Sequence, residues 1–211
     1  MRAGLEAQSA RLRARLAAGE ERAGWKIALN DPRVQQALGI AAPVIGYMTS
    51  ATVVRAGEPH SLAGATRPAI EPEIAIHVGD EGAIAALGTA LEVIDVDMPF
   101  EDLGAILERN VFHRAAALGP PVPGESGLAG RTARLTVDGA EQAIDVEQAG
   151  LDPAGTVQLV SGYLAAIGDA LRPGDVIIAG SLVTALPLRG DAQVALDVDG
   201  LRSVALELRA A

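Results

Sequence analysis

The sequence predicts a single α+β domain that is predominantly β and is preceded by a short N-terminal helix. Short apolar stretches recur from residue 24 to residue 208, separated by turns rich in glycine, proline and aspartate. Two of these turns, Asp138-Gly139 and Asp199-Gly200, have the sequence typical of β-hairpins. We therefore divide the chain into an N-terminal helical segment at residues 1–23 and a β-rich domain at residues 24–211.

The first elements are predicted to be a helix, a strand and a second helix. Leu5, Leu12 and Leu16 recur at helical spacing within residues 4–19, and residues 24–29 alternate like a strand. Asp31-Pro32 starts a helix, because aspartate caps helices and proline fits the first helical position. The same patterns predict the other elements of this half: strands at 44–48, 52–54, 69–78 and 90–96, helices at 83–87 and 101–109, and a polar loop at 57–67.

The second half is predicted to contain one long helix among strands. Residues 155–171 carry an apolar stripe of helical period, and residues 119–130 form a loop rich in glycine and proline. Strands are predicted at 133–137, 143–146, 176–179, 193–198 and 203–208. His113 and Arg114 are interpreted as surface residues at the start of a helix, although contact with a substrate is an alternative.

The composition excludes several classes of function. Aromatic residues make up only 2% of the chain and the net charge is -10, so a surface that stacks bases or binds the phosphate backbone of a nucleic acid is not expected. No apolar run reaches the roughly 20 residues that a membrane-spanning helix needs. The chain has no cysteine, which removes thiolate chemistry and disulfides. We expect a cytoplasmic protein without a nucleic-acid or membrane partner.

The strand at 69–78 carries two glutamates on one face. Period two places Glu71, Glu73, Ala75 and His77 together, and Pro72 suggests an edge strand or a bulge. The two carboxylates are about 7 Å apart along the backbone, close enough to share a cation. An ordinary solvated face is the alternative interpretation.

Glu92 lies within a nearly continuous apolar run, where a carboxylate is seldom buried unless it is paired. It can complete a three-carboxylate site with Glu71 and Glu73, a set of oxygen ligands suited to Mg²⁺ or Mn²⁺. Asp95 and Asp97 compete for this role, but they lie on the opposite face of the predicted strand.

Lys26 is the only lysine among 17 basic residues. An ammonium group can be tuned into an acid or base, whereas a guanidinium stays charged, so this position is a candidate for catalysis. A general preference for arginine is the alternative. Residues 180–184 follow an apolar strand, and their amides and hydroxyls can bind a carboxylate, although a plain strand-to-loop transition is the simpler interpretation.

Taken in order, these segments resemble the fumarylacetoacetate hydrolase superfamily, in particular its 2-keto-4-pentenoate hydratase and 4-oxalocrotonate decarboxylase branch. The resemblance extends from about residue 24 to about residue 208. The segments that carry it are Gly24-Trp25-Lys26-Ile27-Ala28-Leu29, residues 34–39, Ile70-Glu71-Pro72-Glu73-Ile74-Ala75, Ala90-Leu91-Glu92-Val93-Ile94-Asp95, residues 116–119 and residues 173–182.

The resemblance implies a mixed β-roll fold and a divalent metal, Mg²⁺ or Mn²⁺, as cofactor. Glu71, Glu73 and Glu92 match the metal carboxylates of the family, and Lys26 matches its active-site lysine. Ser181 falls in the segment that meets the substrate carboxylate. Leu182, beside it, and Thr49, in a segment where many members carry an acidic residue, complete the predicted substrate-binding set. Substrates of the family are short 2-keto acids, and its members are commonly homo-oligomers.

The predicted function is that of a hydratase that adds water to a 2-hydroxydienoate through a metal-stabilised enolate. Lys26, with a pKa lowered by an apolar site, would stabilise charge or shuttle a proton. A 4-oxalocrotonate-type decarboxylase is the first alternative. An acylpyruvate hydrolase is the second, but the family's hydrolases use an N-terminal His/Glu pair and no histidine precedes His60. A non-catalytic, metal-binding partner subunit is the alternative of another class.

Overall fold

The computed structural model describes residues 2–55, 57–100 and 102–210. Its helices are α1 (Arg2–Ala17), α2 (Pro32–Leu38), α3 (Leu103–Glu108) and α4 (Pro153–Ala166), with 3₁₀ turns at Asp80–Gly82 and Glu147–Ala149. Its strands are β1 (Arg22–Ala28), β2 (Val44–Thr49), β3 (Val53–Val54), β4 (His60–Ser61), β5 (Pro68–Val78), β6 (Ile84–Asp95), β7 (His113–Leu118), β8 (Val122–Pro123), β9 (Thr132–Val137), β10 (Ala140–Asp145), β11 (Val176–Ser181), β12 (Leu186–Pro187), β13 (Ala192–Val198) and β14 (Val204–Arg209).

The strands of the described residues form two sheets. The larger has nine strands, in the order β2-β1-β11-β5-β6-β7-β3 with β12 beside β5 and β8 beside β6, and the smaller has the order β10-β9-β13-β14-β4. Most neighbours are antiparallel, but β1 pairs with β11, β3 with β7 and β14 with β4 in parallel. The predicted α+β class with a mixed β-roll is confirmed.

The main core contains residues of both sheets and of α4. Ile70, Ile74 and Ile76 place one face of β5 in this core, together with Leu196 of β13 and Leu164 of α4. On the opposite face, Ala75 of β5 packs in a smaller cluster with alanines of β6 and β7 and with Met48, Val176 and Ile178. The predicted alternation along this strand is therefore present, and it leaves the face that carries the glutamates outside the main core.

The N-terminal helix packs onto the domain. Leu12 joins the main core, and the buried Gln8 donates a hydrogen bond from Nε2 to the carbonyl of Ile45 at 3.1 Å. Leu16 is 36% exposed, so the predicted leucine stripe is only partly buried. Residues 1 and 211 lie outside the described part, and the division into residues 1–23 and 24–211 stays a prediction. The helices of the described residues are too short or too polar to span a bilayer.

Two of the predicted helices differ from the structure. Long-range strand pairing explains one difference, and a glycine explains the other. The helix predicted at 83–87 belongs instead to β6, where β5 supplies a partner for Ala86 and Leu87; tertiary pairing overrides local preference there. The helix predicted at 155–171 ends at Ala166, because Gly168 adopts a φ of 76° that favours termination.

Pro72 does not lie in an edge strand. β5 pairs with β6 on one side and with β11 and β12 on the other. The Pro72 carbonyl accepts a hydrogen bond from the Leu182 amide at 2.8 Å, where the register of β11 shifts. Proline has no N–H to donate, and at Pro72 the neighbouring strand is irregular, so the regular hydrogen-bond ladder is interrupted there. This agrees with the alternative prediction of a bulge.

Candidate metal centre and active site

The pairing of β5 with β6 assembles the three predicted carboxylates. Glu71 lies directly opposite Glu92, and Glu73 follows two residues later on the same face. One carboxylate oxygen from each residue lies within 4.8 Å of the others. Glu73 and Glu92 are fully buried and Glu71 is partly exposed. The structure thus brings together the set that the sequence predicted.

The three carboxylates lie close together in a largely buried site, where their negative charges repel one another. Burial, followed by the charge of Glu92, raises the pKa of Glu71 from 4.5 to about 7. The same causes, with the charge of Glu71, raise the pKa of Glu73 well above its ordinary value. Glu73 Oε1 and Glu92 Oε2 are buried without a hydrogen-bond partner. Unpartnered buried oxygens of this kind fit a hard divalent cation, because it would neutralise the repulsion and use those lone pairs.

Lys26 lies beside this cluster and is 1% exposed. Its Nζ lies 2.6 Å from Glu92 Oε1 and donates to the carbonyl of Val111 at 3.0 Å. Burial lowers the pKa of Lys26, but the charges of Glu92, Glu71 and Glu73 outweigh this effect and raise the pKa above its ordinary value. The prediction of a lowered pKa was wrong, since it considered the apolar surroundings without the carboxylates. Lys26 is a cation in this site.

His113 is a member of the site that the sequence analysis placed wrongly. It begins β7 rather than a helix, and its side chain is fully buried. Its Nδ1 lies 2.6 Å from Glu92 Oε1, the oxygen that also meets Lys26. Burial lowers the pKa of His113, whereas Lys26 and His113 keep the pKa of Glu92 below its ordinary value despite burial. We assign a neutral ring that donates from Nδ1 to the ionised Glu92.

A left-handed turn places the carbonyl that Lys26 contacts. Asn110, Val111 and Phe112 have φ angles of 57°, 52° and 66°, which non-glycine residues rarely adopt. Asn110 stabilises the turn, because its Nδ2 donates to the carbonyl of Tyr47 at 2.8 Å and its Oδ1 accepts from the Tyr47 amide at 2.9 Å. Such strain persists only where the surroundings hold it. No sequence pattern marked this turn.

The end of β11 contributes the predicted Ser181 and Leu182. Gly180 has a φ of 95° and donates its amide to Glu73 Oε2 at 2.8 Å. Ser181 lies opposite Glu73 across the sheet, and its hydroxyl is buried without a partner. Leu182 is 6% exposed and lines the same cavity as Ser181. Ser181 therefore lies beside the carboxylate cluster, whereas Leu182 belongs to the main core and contributes to the cavity wall.

Thr49 is not brought to the cluster. Its hydroxyl donates to Glu20 and accepts from Arg15 at 3.3 Å, and it is fully buried. β2 runs antiparallel to β1, so Gly46 lies beside Lys26 while Thr49 pairs with Arg22 at the far end of that strand. Thr49 therefore lies away from the carboxylate cluster, and its contact with the substrate stays a prediction.

A cavity of about 690 Å³ opens over Lys26, Glu71 and Ser181. Much of its described wall is apolar: Ile27, Ala28, Leu29, Val34, Ile94, Val96, Phe100, Phe112, Leu182, Val183 and Ala185. The described cationic residues of the wall are Lys26, bonded to Glu92, and Arg33, bonded to Asp31 at 2.7 Å. The cavity thus combines a polar base with a mainly apolar wall.

Comparison with known proteins supports this description. No family model matches the chain. A 2-keto-4-pentenoate hydratase from Burkholderia vietnamiensis (strain G4 / LMG 22486) is 28% identical over an alignment of 206 residues. The alignment covers 88% of this chain and 78% of the hydratase.

Two solved structures share the fold. A 4-oxalocrotonate decarboxylase from Pseudomonas putida G7, complexed with magnesium and adipate, has a TM-score of 0.81 at 19% identity, over 99% of this chain and 85% of that one. A fumarylpyruvate hydrolase from Pseudomonas aeruginosa, in complex with Mn²⁺ and pyruvate, has a TM-score of 0.68 at 20% identity, over 90% of each chain.

The fold and the site are those of a β-roll protein with a carboxylate cluster beside a buried lysine. The sequence relative and the first structural match carry the names of the hydratase and decarboxylase branch that the sequence resembles. The resemblance seen in the sequence is therefore confirmed at the level of this branch.

Proposed function

We propose that this chain is a metal-dependent lyase that adds water to a short 2-hydroxydienoate, as in 2-keto-4-pentenoate hydration. The observation that carries this proposal is the juxtaposition of Glu71, Glu73 and Glu92 with the buried cation of Lys26 at the base of a cavity. The hydratase name of the sequence relative supports the same activity.

Glu71, Glu73 and Glu92 would hold the metal, Mg²⁺ or Mn²⁺. The likeness to structures solved with magnesium and with Mn²⁺ agrees with this choice. When bound, such a cation supplies Lewis acidity to the carboxylate and keto oxygens of a 2-keto acid. His113 and Lys26 both contact Glu92 Oε1, which orients the carboxylate and leaves Oε2 for the metal.

Lys26 and Ser181 would act on the substrate itself. The ammonium of Lys26 stabilises negative charge that develops on the substrate oxygen and can donate a proton from Nζ. The unpartnered hydroxyl of Ser181 can donate to the substrate carboxylate. The apolar wall limits access of bulk water, which strengthens both interactions.

The wall favours a substrate with a single carboxylate. Lys26 is paired with Glu92, and the side chain of Arg33, paired with Asp31, is 88% exposed to solvent. A second carboxylate at the far end of the substrate would compete there with Asp31 and water, and elsewhere in the wall it would meet mainly apolar side chains, at a desolvation cost. This observation favours the hydratase over a decarboxylase of a dicarboxylic acid, which remains the alternative activity. The described lining also lacks a histidine that could serve an acylpyruvate hydrolase.

The test is an ultraviolet assay of the purified protein with Mg²⁺ or Mn²⁺ and a monocarboxylic 2-hydroxydienoate. We expect metal-dependent loss of the diene absorbance, formation of a 4-hydroxy-2-keto acid and no release of carbon dioxide. Glu73→Gln should abolish the reaction. Release of carbon dioxide from a dicarboxylic analogue alone would instead establish the decarboxylase. Inactivity on both, with metal bound, would favour a non-catalytic partner subunit.

A homo-oligomer in the cytoplasm is also part of the proposal. The cysteine-free composition suits a reducing compartment, and Phe100 and Ile167 expose apolar surface, at 41% and 46%, that a second copy can cover. Light scattering coupled to gel filtration would give the number of subunits, and a monomer at micromolar concentration would contradict the expected assembly.

A further inference from the structure

A second cavity, of about 540 Å³, lies beside the metal centre and shares no described lining residue with the first. Four arginines line it, Arg11, Arg15, Arg109 and Arg114, against one glutamate, Glu108. Each of these arginines has an acidic partner, which for Arg114 is Asp95 at 3.8 Å, so the cavity gathers guanidinium donors rather than a net positive charge. Neither the metal centre nor the proposed hydration uses these arginines.

Neighbouring groups hold the arginine side chains in place. Arg11 bonds to Glu108 at 2.6 Å and Arg15 to Glu20 at 2.8 Å, while Arg109 pairs with Asp97. Arg114 donates to the carbonyl of Ala63 at 2.9 Å. Each guanidinium has five N–H donors, so these contacts leave donors for a ligand while restricting the rotamers of the side chains.

Two buried nitrogen atoms at this cavity have no partner. Nε2 of His113 is buried on a side chain with no exposed surface, and in the neutral ring that donates from Nδ1 it can only accept a hydrogen bond. Nε of Arg114 is buried as well, and it is the donor of the two that an anion can use. His113 lines this cavity while its Nδ1 contacts Glu92. Unsatisfied buried polar atoms are uncommon in folded proteins and are typically completed by water or a ligand.

We propose that this second cavity binds a small organic or inorganic anion with two or more negative charges. Guanidinium groups form paired hydrogen bonds with carboxylate and phosphate oxygens, and they have no acceptor atom that could bind a metal cation. A volume of about 540 Å³ lies within the range of small-molecule sites. The ligand class is therefore a compact polycarboxylate or a phosphate compound, and the site is separate from that of the 2-keto acid.

The experiment is isothermal titration calorimetry of the metal-free protein with succinate, tricarballylate and inorganic pyrophosphate at constant ionic strength. We expect saturable binding of one anion per chain for at least one probe. The probe that binds with the highest affinity, a carboxylate or the pyrophosphate, shows which of the two classes of anion the cavity prefers. Replacing two of the lining arginines, in Arg11→Gln combined with Arg109→Gln, should weaken binding at least about tenfold.

Matched variants distinguish this site from the metal centre. Arg33→Gln removes an arginine of the first cavity and Glu73→Gln removes a carboxylate of the metal centre, so both should bind the anion with unchanged affinity. The side chains of Arg11 and Arg109 are each 55% exposed, which allows their variants to fold. Arg11→Lys offers a milder second test of the contacts that Arg11 makes with the anion. The proposal is overturned by absence of saturable binding for all three probes, by binding that Arg33→Gln removes, or by binding that the Arg11 and Arg109 variants leave unchanged.

Discussion

Lys26 compensates a buried negative charge, and this role can be measured separately from activity. Lys26→Met keeps most of the side-chain volume but leaves Glu92, which is 0% exposed, without its ammonium partner. Removing one member of a buried ion pair typically costs about 3–5 kcal/mol. We expect the free energy of unfolding of the metal-free protein to fall by about 3 kcal/mol in urea denaturation, and turnover to be lost.

The matched control for Lys26 is Arg33→Gln. Arg33 also pairs with an acidic residue at the cavity, but its side chain is 88% exposed. Exposed pairs contribute about 1 kcal/mol or less, so stability should hardly change. If Lys26→Met were as stable as this control, Lys26 would not compensate Glu92 in the folded protein.

The raised pKa values of Glu71 and Glu73 predict an unusual dependence of the metal-free protein's stability on pH. Glu71 titrates near 7 and Glu73 well above its ordinary value, so the native state binds more protons than the unfolded state above about pH 4.5. The free energy of unfolding contributed by these groups therefore falls as pH rises from about 4.5 to about 7. For Glu71 this amounts to about 3 kcal/mol as an upper limit.

Glu73→Gln isolates this effect from the other titrating groups. Urea unfolding at several values between pH 4.5 and 7.5 should show that the variant gains stability over the wild type as pH rises. Parallel profiles for the two proteins would show that Glu73 titrates normally, and would contradict a buried carboxylate cluster.

At the scale of single residues, the sequence predicted which residues share one face of a strand, but it did not predict side-chain contacts between different strands. The spacing of Glu71 and Glu73 indicates a shared face because side chains alternate along any strand. The contact of His113 with Glu92 depends on the register of β7, which shifts beside Val93 and Ile94. No local pattern encodes that shift, so His113 could be found only from the fold.

At the scale of elements, a glycine in β2 makes room for the lysine in β1. A Cβ at Gly46 would lie 2.7 Å from Lys26 Cγ and 3.0 Å from Asn110 Oδ1. Gly46→Ala must therefore displace the lysine side chain or separate the strands, and we expect a loss of about 1–3 kcal/mol in the free energy of unfolding. Turnover should fall because Nζ leaves its position beside Glu92.

Gly127→Ala is the matched control for this change. Nothing lies within 4 Å of a Cβ at Gly127, and that residue requires no positive φ. Its thermal midpoint should equal that of the wild type. A Gly46→Ala variant with unchanged midpoint and turnover would show that the two strands are farther apart than the structure has them.

The elements themselves were predictable where short-range rules apply. Asp31 caps α2 and is followed by a proline at the first turn, as predicted; Asp152 and Pro153 begin α4 in the same way, two residues before the predicted start. The sequence predicts a helix at the start of β6, because the pairing of that strand with β5 is a long-range interaction. The left-handed turn at residues 110–112 is likewise maintained by Asn110 and its distant partner Tyr47 rather than by its own sequence.

At the scale of the whole molecule, the two faces of the large sheet have different compositions. Ile70, Ile74 and Ile76 fill the main core, whereas Ala75, Ala90 and Ala116 pack with Met48, Val176 and Ile178 on the face of the glutamates. The alanines of the central strands β5, β6 and β7 leave room beside them for the long Glu and Lys side chains of the site.

Metal binding should stabilise the entire fold, because the carboxylates lie on strands in the middle of the large sheet. A ligand bound only by the native state adds about 2.7 kcal/mol at 100 times its dissociation constant, or roughly 5–10 °C in the thermal midpoint of a domain of this size. We expect Mg²⁺ or Mn²⁺ to produce such a shift, and oxalate, a mimic of a 2-keto acid, to add to it only when the metal is present. Glu73→Gln should abolish both shifts, whereas Glu141→Gln, which changes a side chain that is 61% exposed, should retain them. Equal shifts in the two variants would place the cation elsewhere on the acidic surface, and no shift with either metal would remove the basis of the proposed lyase chemistry.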